Sequence, residues 1–232
     1  TTLYSILSEL NDPKRNILTA EDPIEYELEG IGQSQMKSEI NYTFAKALRT
    51  FLRQDPEVIL VGEIRDQETG NIAVEAALTG HLVCSTLHTN SSVETITRLV
   101  NMGIPNYLIS SSVSLVIGQR LARKICQKCK VEDKNSSAKL LKQMKLPSDL
   151  NPMVGKGCKE CNNSGYKGRQ GIYEILKITE DLQDGILKNL TIPEMESVAK
   201  KEGFLSMQEV GAGYIREGFL SLEEYQRTLF IS

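Results

Sequence analysis

The chain has 232 residues, enough to bury the core of one or two domains. Its hydrophobic fraction of 40% and charged fraction of 25% are typical of a soluble globular protein. The net charge of −3, the isoelectric point near 5.6 and the absence of tryptophan argue against a nucleic-acid-binding protein, and no apolar run approaches the ~18 residues that span a bilayer.

The first hundred residues alternate between helical and strand patterns of apolar residues. The helical patterns cover residues 3–10, 43–52, 69–78 and 93–100, and the strand patterns cover residues 16–19, 58–61 and 82–87. Strands that alternate with helices predict a parallel α/β sheet. In such sheets the functional groups lie at the carboxyl ends of the strands.

Acidic residues and a histidine follow the three predicted strands: Glu21, Glu63 and His88. The strand before Glu63 has the form of a Walker B strand, in which a buried strand presents a carboxylate oxygen to Mg²⁺. Each residue alone also has a structural explanation, since an acid after an apolar strand is common and Asp-Pro favours turns. His81 and His88, the two histidines of the chain, flank one strand, and a histidine can hydrogen-bond to a γ-phosphate.

Four of the five cysteines form two Cys-x-x-Cys pairs, separated by residues 130–157: Cys126, Cys129, Cys158 and Cys161. This spacing predicts a structural zinc site, because four thiolates leave no open position for water. A nucleic-acid-binding zinc ribbon and a redox pair are alternatives. The ribbon is less favoured because the segment between the pairs lacks aromatic residues among its basic ones. Cys84 lies in an apolar strand and is expected in the core.

The second half of the chain begins with a lysine-rich and serine-rich stretch, residues 130–145, for which we expect a solvated excursion. A short strand is predicted at residues 172–176. Helices are predicted at residues 181–189, 193–202, 206–216 and 221–229. The last helix begins at a capping box formed by Ser221 and Glu224.

Four short segments follow one another along the chain. Each is a weak signal alone, but the four in this order are highly specific. They are Ala20-Glu21-Asp22-Pro23-Ile24-Glu25-Tyr26, Leu52-Arg53-Gln54-Asp55-Pro56, Gly62-Glu63-Ile64-Arg65-Asp66, and the histidine-flanked stretch 80–90. This set resembles the secretion ATPase superfamily, specifically the type II secretion and type IV pilus assembly ATPases (the GspE/PilB family). Gln119-Arg120-Leu121 followed by the cysteines resembles the zinc insert of secretion and pilus-extension motors, which pilus-retraction ATPases lack.

The resemblance implies an α/β fold with three parts. A RecA-like P-loop NTPase core with a parallel sheet would cover residues 1–125. A tetracysteine zinc-binding subdomain would cover residues 126–161, and a mostly helical C-terminal subdomain would cover residues 162–232.

The resemblance also implies roles for individual residues. Glu21 would be the general base that activates water, and Glu63 would hold Mg²⁺ through a water molecule. His88, and with less support His81, would contact the γ-phosphate side of ATP. Arg98 would neutralise charge in the transition state.

The resemblance gives less support for the roles of four further residues at the nucleotide site. Arg53 and Arg65 are alternatives to this arginine, although an ion-pair role explains them as well. Thr1 and Thr2 would begin the helix that follows the phosphate-binding loop and would contact the nucleotide.

Two departures from the family pattern affect this interpretation. The family's Walker A loop, Gly-x-x-x-x-Gly-Lys-[Ser/Thr], would lie immediately before Thr1 and is not in this sequence. We therefore expect a fragment that hydrolyses ATP poorly by itself. Ser91 stands where the family more often has aspartate.

The function implied by the resemblance is that of a cytoplasmic ATPase using ATP, Mg²⁺ and Zn²⁺. It would work as a homo-hexamer, peripheral to the inner membrane, and would act on an inner-membrane platform protein in type IV pilus assembly or type II secretion, with no specific nucleic acid. A non-catalytic scaffold subunit is one alternative, against which the retained Glu21, Glu63 and His88 argue. A nucleic-acid-associated ATPase or zinc-ribbon module is another, against which the acidic composition argues.

Overall fold

The chain divides into two compact units. The computed structural model describes residues 2–134, 136, 138–144 and 146–230. The first unit comprises Thr1–Val116 and Lys177–Val198, and the second comprises Ile117–Leu176 and Ala199–Ser232. The three-part division implied by the family resemblance stays a prediction.

A four-stranded parallel sheet forms the centre of the first unit. Its strands are β1 (Ile17–Glu21), β2 (Gly32–Gln35), β3 (Val58–Val61) and β4 (Leu82–Ser85), in the spatial order β2-β1-β3-β4. All three pairings are parallel. The parallel sheet predicted from the alternating pattern is thus confirmed.

Both faces of the sheet are covered, which explains why β1 and β3 are apolar at consecutive positions. Leu18 and Ile59 face the cluster that contains α2 (Phe44–Phe51) and α3 (Gln67–Leu78). Ile17 and Leu60 face the opposite cluster, where Leu7 of α1 (Thr2–Leu10) is fully buried.

Side-chain caps start the helices around the sheet. Thr43 accepts a hydrogen bond from the backbone N–H of Lys46 at the start of α2, and Asp66 accepts one from Thr69 at the start of α3. Ser91 accepts the N–H of Glu94 and so caps α4 (Ser92–Asn101). Because serine caps a helix about as well as aspartate does, the departure at position 91 preserves the start of this helix.

The first unit contains three more helices in whole or in part. They are α5 (Asn106–Ser112), α7 (Glu180–Leu187) and most of α8 (Ile192–Lys201). The α5 helix contacts α3 and α7. The Asn106 amide donates to the carbonyl of Ile186 at 2.8 Å, which fastens α5 to the end of α7.

Among its described residues, the second unit contains two small sheets, three helices and the end of α8. Strands β5 (Leu115–Ile125) and β8 (Tyr166–Lys177) pair with each other, and β6 (Lys130–Glu132) pairs antiparallel with β7 (Met153–Gly155). The helices are α6 (Ala138–Gln143), α9 (Met207–Arg216) and α10 (Leu222–Leu229).

The lysine-rich stretch is more than the expected solvated excursion. It contains β6 and α6, and its Leu141 and Met144 are buried. These side chains join Ile215 and Tyr225 in the core of the second unit. Within the described residues, no helix is long and apolar enough to cross a membrane.

The predicted capping box at α10 is half correct. Ser221 caps the helix by accepting the N–H of Glu224, but the Glu224 carboxylate turns inward. It accepts hydrogen bonds from the backbone and the guanidinium of Arg123 and from the guanidinium of Arg227. Burial opposes the charge of this fully buried side chain, but the arginine donors outweigh it and lower the pKa of Glu224 to about 2.

We predict that Glu224→Gln destabilises the fold in a pH-dependent manner. A depressed carboxyl pKa contributes stability at pH values above about 4.5, and this contribution is lost as the pH falls toward 2. The variant should lower the free energy of unfolding by about 1–3 kcal/mol at pH 7 and by much less at pH 3, as measured by urea denaturation. The exposed neighbour Glu223→Gln is the control; an equal loss at both pH values would contradict the prediction.

Candidate functional site

The parallel register brings the ends of β1, β3 and β4 to one edge of the sheet. Ala20 lies opposite Val61, and Val61 lies opposite Ser85. Glu21 therefore leaves β1 beside Gly62, the residue before Glu63.

Close backbone contacts hold this edge together. The N–H of Gly62 donates to the carbonyl of Ala20 at 2.8 Å, and the Thr86 hydroxyl donates to the carbonyl of Gly62 at 2.7 Å. A Cβ atom on Gly62 would lie 3.2 Å from the Ala20 oxygen and 3.4 Å from the Glu21 Cα. Glycine stands here, where a standard Walker B strand has aspartate, because the two backbones leave little room for a side chain.

The Glu21 carboxylate is buried and accepts hydrogen bonds on both of its oxygens. It is 4% exposed and accepts hydrogen bonds from the Tyr4 hydroxyl, the Thr19 hydroxyl and the Gln33 amide. These donors come from α1, β1 and β2. Together they hold the carboxylate in one orientation.

The Glu63 carboxylate is different, because one of its oxygens has no donor. Its side chain is 11% exposed, and its Oε1 lies 2.5 Å from the Arg65 guanidinium. Its Oε2 is buried and finds no hydrogen-bond donor among the described residues. The Nε2 atom of the His88 ring lies 3.6 Å from it. A buried carboxylate oxygen without a donor fits a hard cation such as Mg²⁺, or a water bound to it.

The two histidines lie at opposite ends of β4. His88 follows the carboxyl end and has a 90% exposed side chain beside Glu63. His81 precedes the amino end, roughly 13 Å of strand away. Its Nδ1 lies 2.9 Å from the carbonyl oxygen of Ala76. The structure thus brings Glu21, Glu63 and His88 together but leaves His81 away from them.

The remaining nucleotide-site candidates have less defined surroundings. Arg98 lies exposed in the last turn of α4, and its guanidinium forms no ion pair within the part of the chain that the structure describes. Thr2 is the first residue of α1, two positions before Tyr4, which contacts Glu21. Thr1 lies outside the described residues.

The four paired cysteines form a compact cluster in the second unit. Their Sγ atoms all lie within 4.8 Å of one another, and the shortest Sγ–Sγ distances are 3.7 Å and 3.9 Å. Four sulfurs at the usual Zn–S distance of about 2.3 Å in a tetrahedron are ~3.8 Å apart. A disulfide requires about 2.05 Å. The cluster therefore fits a tetrahedral metal ion and not a pair of disulfides.

Two glycines bring the cysteine pairs together. A Cβ atom on Gly155 would lie 2.0 Å from the carbonyl oxygen of Gly165, so only glycine fits this backbone contact. The same carbonyl accepts the N–H of Cys126 at 2.9 Å. Burial alone would raise the pKa of Cys161, but N–H donors from Cys158 and Gly165 outweigh it and lower the pKa to about 6.

Comparison with known proteins now assigns the family. A family model described as "Type II/IV secretion system protein" matches residues 1–227. The chain belongs to this family. The predicted resemblance to secretion and pilus ATPases is confirmed.

Individual members of the type II/IV secretion system protein family match nearly the whole chain. The Type II secretion system protein E of Pseudomonas aeruginosa is 48% identical over 230 residues, which cover 98% of this chain and 45% of the relative. The Type IV pilus assembly ATPase PilB of Myxococcus xanthus is 45% identical over 228 residues, covering 97% and 40%. The chain thus spans less than half the length of these two relatives.

A solved structure of a related motor supports the fold. The pilus retraction motor PilT with bound ADP superimposes with a TM-score of 0.70 at 29% identity, covering 98% of this chain and 56% of that one. Together with the parallel sheet and the cysteine cluster, this match confirms the predicted fold class.

Sequence reasoning missed three residues of the site in this family member. Tyr4, Thr19 and Gln33 all donate to Glu21, yet Tyr4 and Gln33 are 17 and 12 residues away from it in the chain. The Thr19 contact had a sequence signal, since residues two apart in a strand share one face.

We predict that Cys158→Ser removes the metal. Zinc content, measured by mass spectrometry, should fall from about one ion per chain to well below half, and the melting temperature should fall because metal binding contributes to folding. Cys84→Ser is the matched control, since Cys84 lies in β4 outside the cluster. Freshly purified wild-type protein without zinc would refute the site.

Proposed function

We propose that the protein containing this chain hydrolyses ATP as a hexameric motor for type IV pilus assembly or type II protein secretion. Membership of the type II/IV secretion system protein family supports the proposal. The observation that carries it is the pair of unlike carboxylates at one sheet edge. Glu21 is held by three donors, whereas Glu63 keeps a buried oxygen without one.

Glu21 acts as the general base. In the reaction, the water oxygen forms a bond to the terminal phosphorus, and the bond from that phosphorus to the bridging oxygen breaks, releasing ADP. Glu21 takes the proton from the water. A carboxylate that is held by three donors and shielded from bulk water suits this task, and Glu21 is almost completely buried.

Glu63 would hold Mg²⁺, directly or through a water, with its Oε2, which accepts no hydrogen bond from the described residues. The ion, when bound, supplies positive charge to the terminal phosphates. Arg65 engages the other carboxylate oxygen and so fixes the direction in which Oε2 points. This ion pair supports a positioning role for Arg65.

His88 is the histidine that contacts the γ-phosphate side of ATP, because it lies exposed beside Glu63. His81 instead contacts the end of α3, through its Nδ1 and the carbonyl oxygen of Ala76. Arg98 is exposed and suits a role in neutralising transition-state charge, where it would meet phosphate oxygens. The amino end of α1, with Thr2, lies two residues from Tyr4 and suits phosphate binding together with the phosphate loop of the family.

The proposal extends to the wider assembly that the family resemblance implies. The motor works as a cytoplasmic homo-hexamer, uses ATP, Mg²⁺ and a structural Zn²⁺, and transmits force to an inner-membrane platform protein. The zinc is structural because all four ligand positions are thiolates. A scaffold subunit without catalysis would need neither the buried base nor the open oxygen of Glu63, so the catalytic role is favoured.

We predict that Glu21→Gln lowers kcat of the whole natural protein about 100-fold or more, since the amide cannot accept the proton. A phosphate-release assay at saturating ATP measures this. Glu27→Gln is the control, because Glu27 is an exposed acid in the segment that follows Glu21. Equal rates for wild type and Glu21→Gln would exclude the base assignment.

We further predict that Glu63→Gln raises the Mg²⁺ concentration required for half-maximal ATPase activity at least ~10-fold, because a carboxylate ligand of the ion is lost. A Mg²⁺ titration at fixed ATP concentration measures this shift. Glu57→Gln, just before β3, is the control. An unchanged Mg²⁺ requirement would place the metal elsewhere.

A further inference from the structure

We propose that Tyr4 and Gln33 are positioning residues that assign different tasks to the two oxygens of Glu21. Gln33 and Thr19 anchor Oε1, whereas Tyr4 orients Oε2 and leaves it able to take the proton. The inference rests on the proposed function, because it concerns the residue proposed as the base.

The Oε1 atom of Glu21 has no lone pair left to accept another hydrogen bond or a proton. It accepts the Thr19 hydroxyl at 2.5 Å and the Gln33 Nε2 at 3.0 Å. A carboxylate oxygen has two lone pairs, so these donors occupy both of them. A proton from water therefore has to go to the other oxygen.

The surroundings of Gln33 fix which way its amide faces. Its Oε1 accepts the backbone N–H of Leu28 at 2.6 Å, and that N–H requires an acceptor. Its Nε2 donates both to Glu21 and to the carbonyl of Tyr26 at 3.2 Å. All partners agree with one orientation of the amide, which presents a donor to Glu21.

The Tyr4 hydroxyl is also oriented by its hydrogen-bond partners. Its oxygen accepts the backbone N–H of Glu25 at 3.1 Å, so its own proton is directed to Oε2 of Glu21. The Tyr4 ring stacks on Tyr26, with ring centroids 4.5 Å apart. Burial raises the pKa of Tyr4, and the bond to Glu21 raises it further, so the hydroxyl keeps its proton at neutral pH.

Among the described residues Tyr4 is the one donor to Oε2, which leaves this oxygen a lone pair. Contacts from α1 and from β2 together fix its position. A base that is fixed in this way is already held in one rotamer before the water attacks. Misplacing a catalytic group by about 1 Å can cost up to ~100-fold in rate. Loss of one of two positioning contacts should cost less than loss of the base itself.

The first test is Tyr4→Phe in the whole natural protein. This variant removes only the hydroxyl and keeps the ring that stacks on Tyr26. We expect kcat to fall about 10-fold with KM for ATP within about 2-fold, because the ground-state contacts to nucleotide are unchanged. Tyr26→Phe is the matched control, with the same chemical change on the partner ring, and should retain the wild-type kcat.

The second test is Gln33→Glu. The new carboxylate still accepts the N–H of Leu28, which protects the fold, but it replaces a donor to Glu21 by a negative charge. We expect kcat to fall at least ~10-fold. Gln35→Glu introduces the same charge two residues along β2, on an exposed residue, and should have a much smaller effect.

A double-mutant cycle separates positioning from structural damage. If Tyr4 acts through Glu21, adding Tyr4→Phe to Glu21→Gln should cause no further loss of rate. A full additional loss would mean that Tyr4 supports the fold or the nucleotide, which would overturn the inference. The melting temperature of Tyr4→Phe should lie close to that of the wild type.

The outcomes also distinguish this inference from the proposed function. Wild-type kcat in both Tyr4→Phe and Gln33→Glu, with an inactive Glu21→Gln, would overturn the positioning roles alone. An inactive wild type, or a Glu21→Gln variant with the wild-type rate, would overturn the proposed function and the inference with it.

Discussion

The fixed register of β1, β3 and β4 is the constraint on which the rest of the site depends. Both faces of β1 and β3 are buried, and a shift by one residue would turn every side chain to the wrong face. Packing in the core therefore determines that Ala20, Val61 and Ser85 stand side by side. Glu21 and Glu63 share an edge because the apolar residues before them leave no alternative.

The same edge produces two different carboxylates. Glu21 is surrounded by donors from three elements, so its direction is fixed. Glu63 has one oxygen paired with Arg65 and one left for a cation. The proposed base and the proposed metal ligand are thus distinguished by their neighbours, since both residues are glutamates. In the second unit, the contact between Gly155 and Gly165 brings the two cysteine pairs together into one cluster.

The sequence allowed prediction of the features that local patterns encode. The apolar runs predicted the parallel strands, and cysteine spacing predicted the metal cluster, because both signals are contained in short segments. Strand β5 was missed, since Gly118 and Arg120 interrupt its apolar pattern and much of it is exposed. Tyr4 and Gln33 were missed because their contacts with Glu21 depend on how α1 and β2 pack, which no local pattern reports.

The central claim is that ATP is hydrolysed at the edge shared by Glu21 and Glu63. A structure of the whole natural protein with Mg²⁺ and a non-hydrolysable ATP analogue tests it most directly. The account predicts the ion about 2 Å from Oε2 of Glu63, or about 4 Å with one water between them. It also predicts a water within about 3.2 Å of Oε2 of Glu21, facing the terminal phosphorus. A nucleotide and metal bound away from this edge would contradict the account.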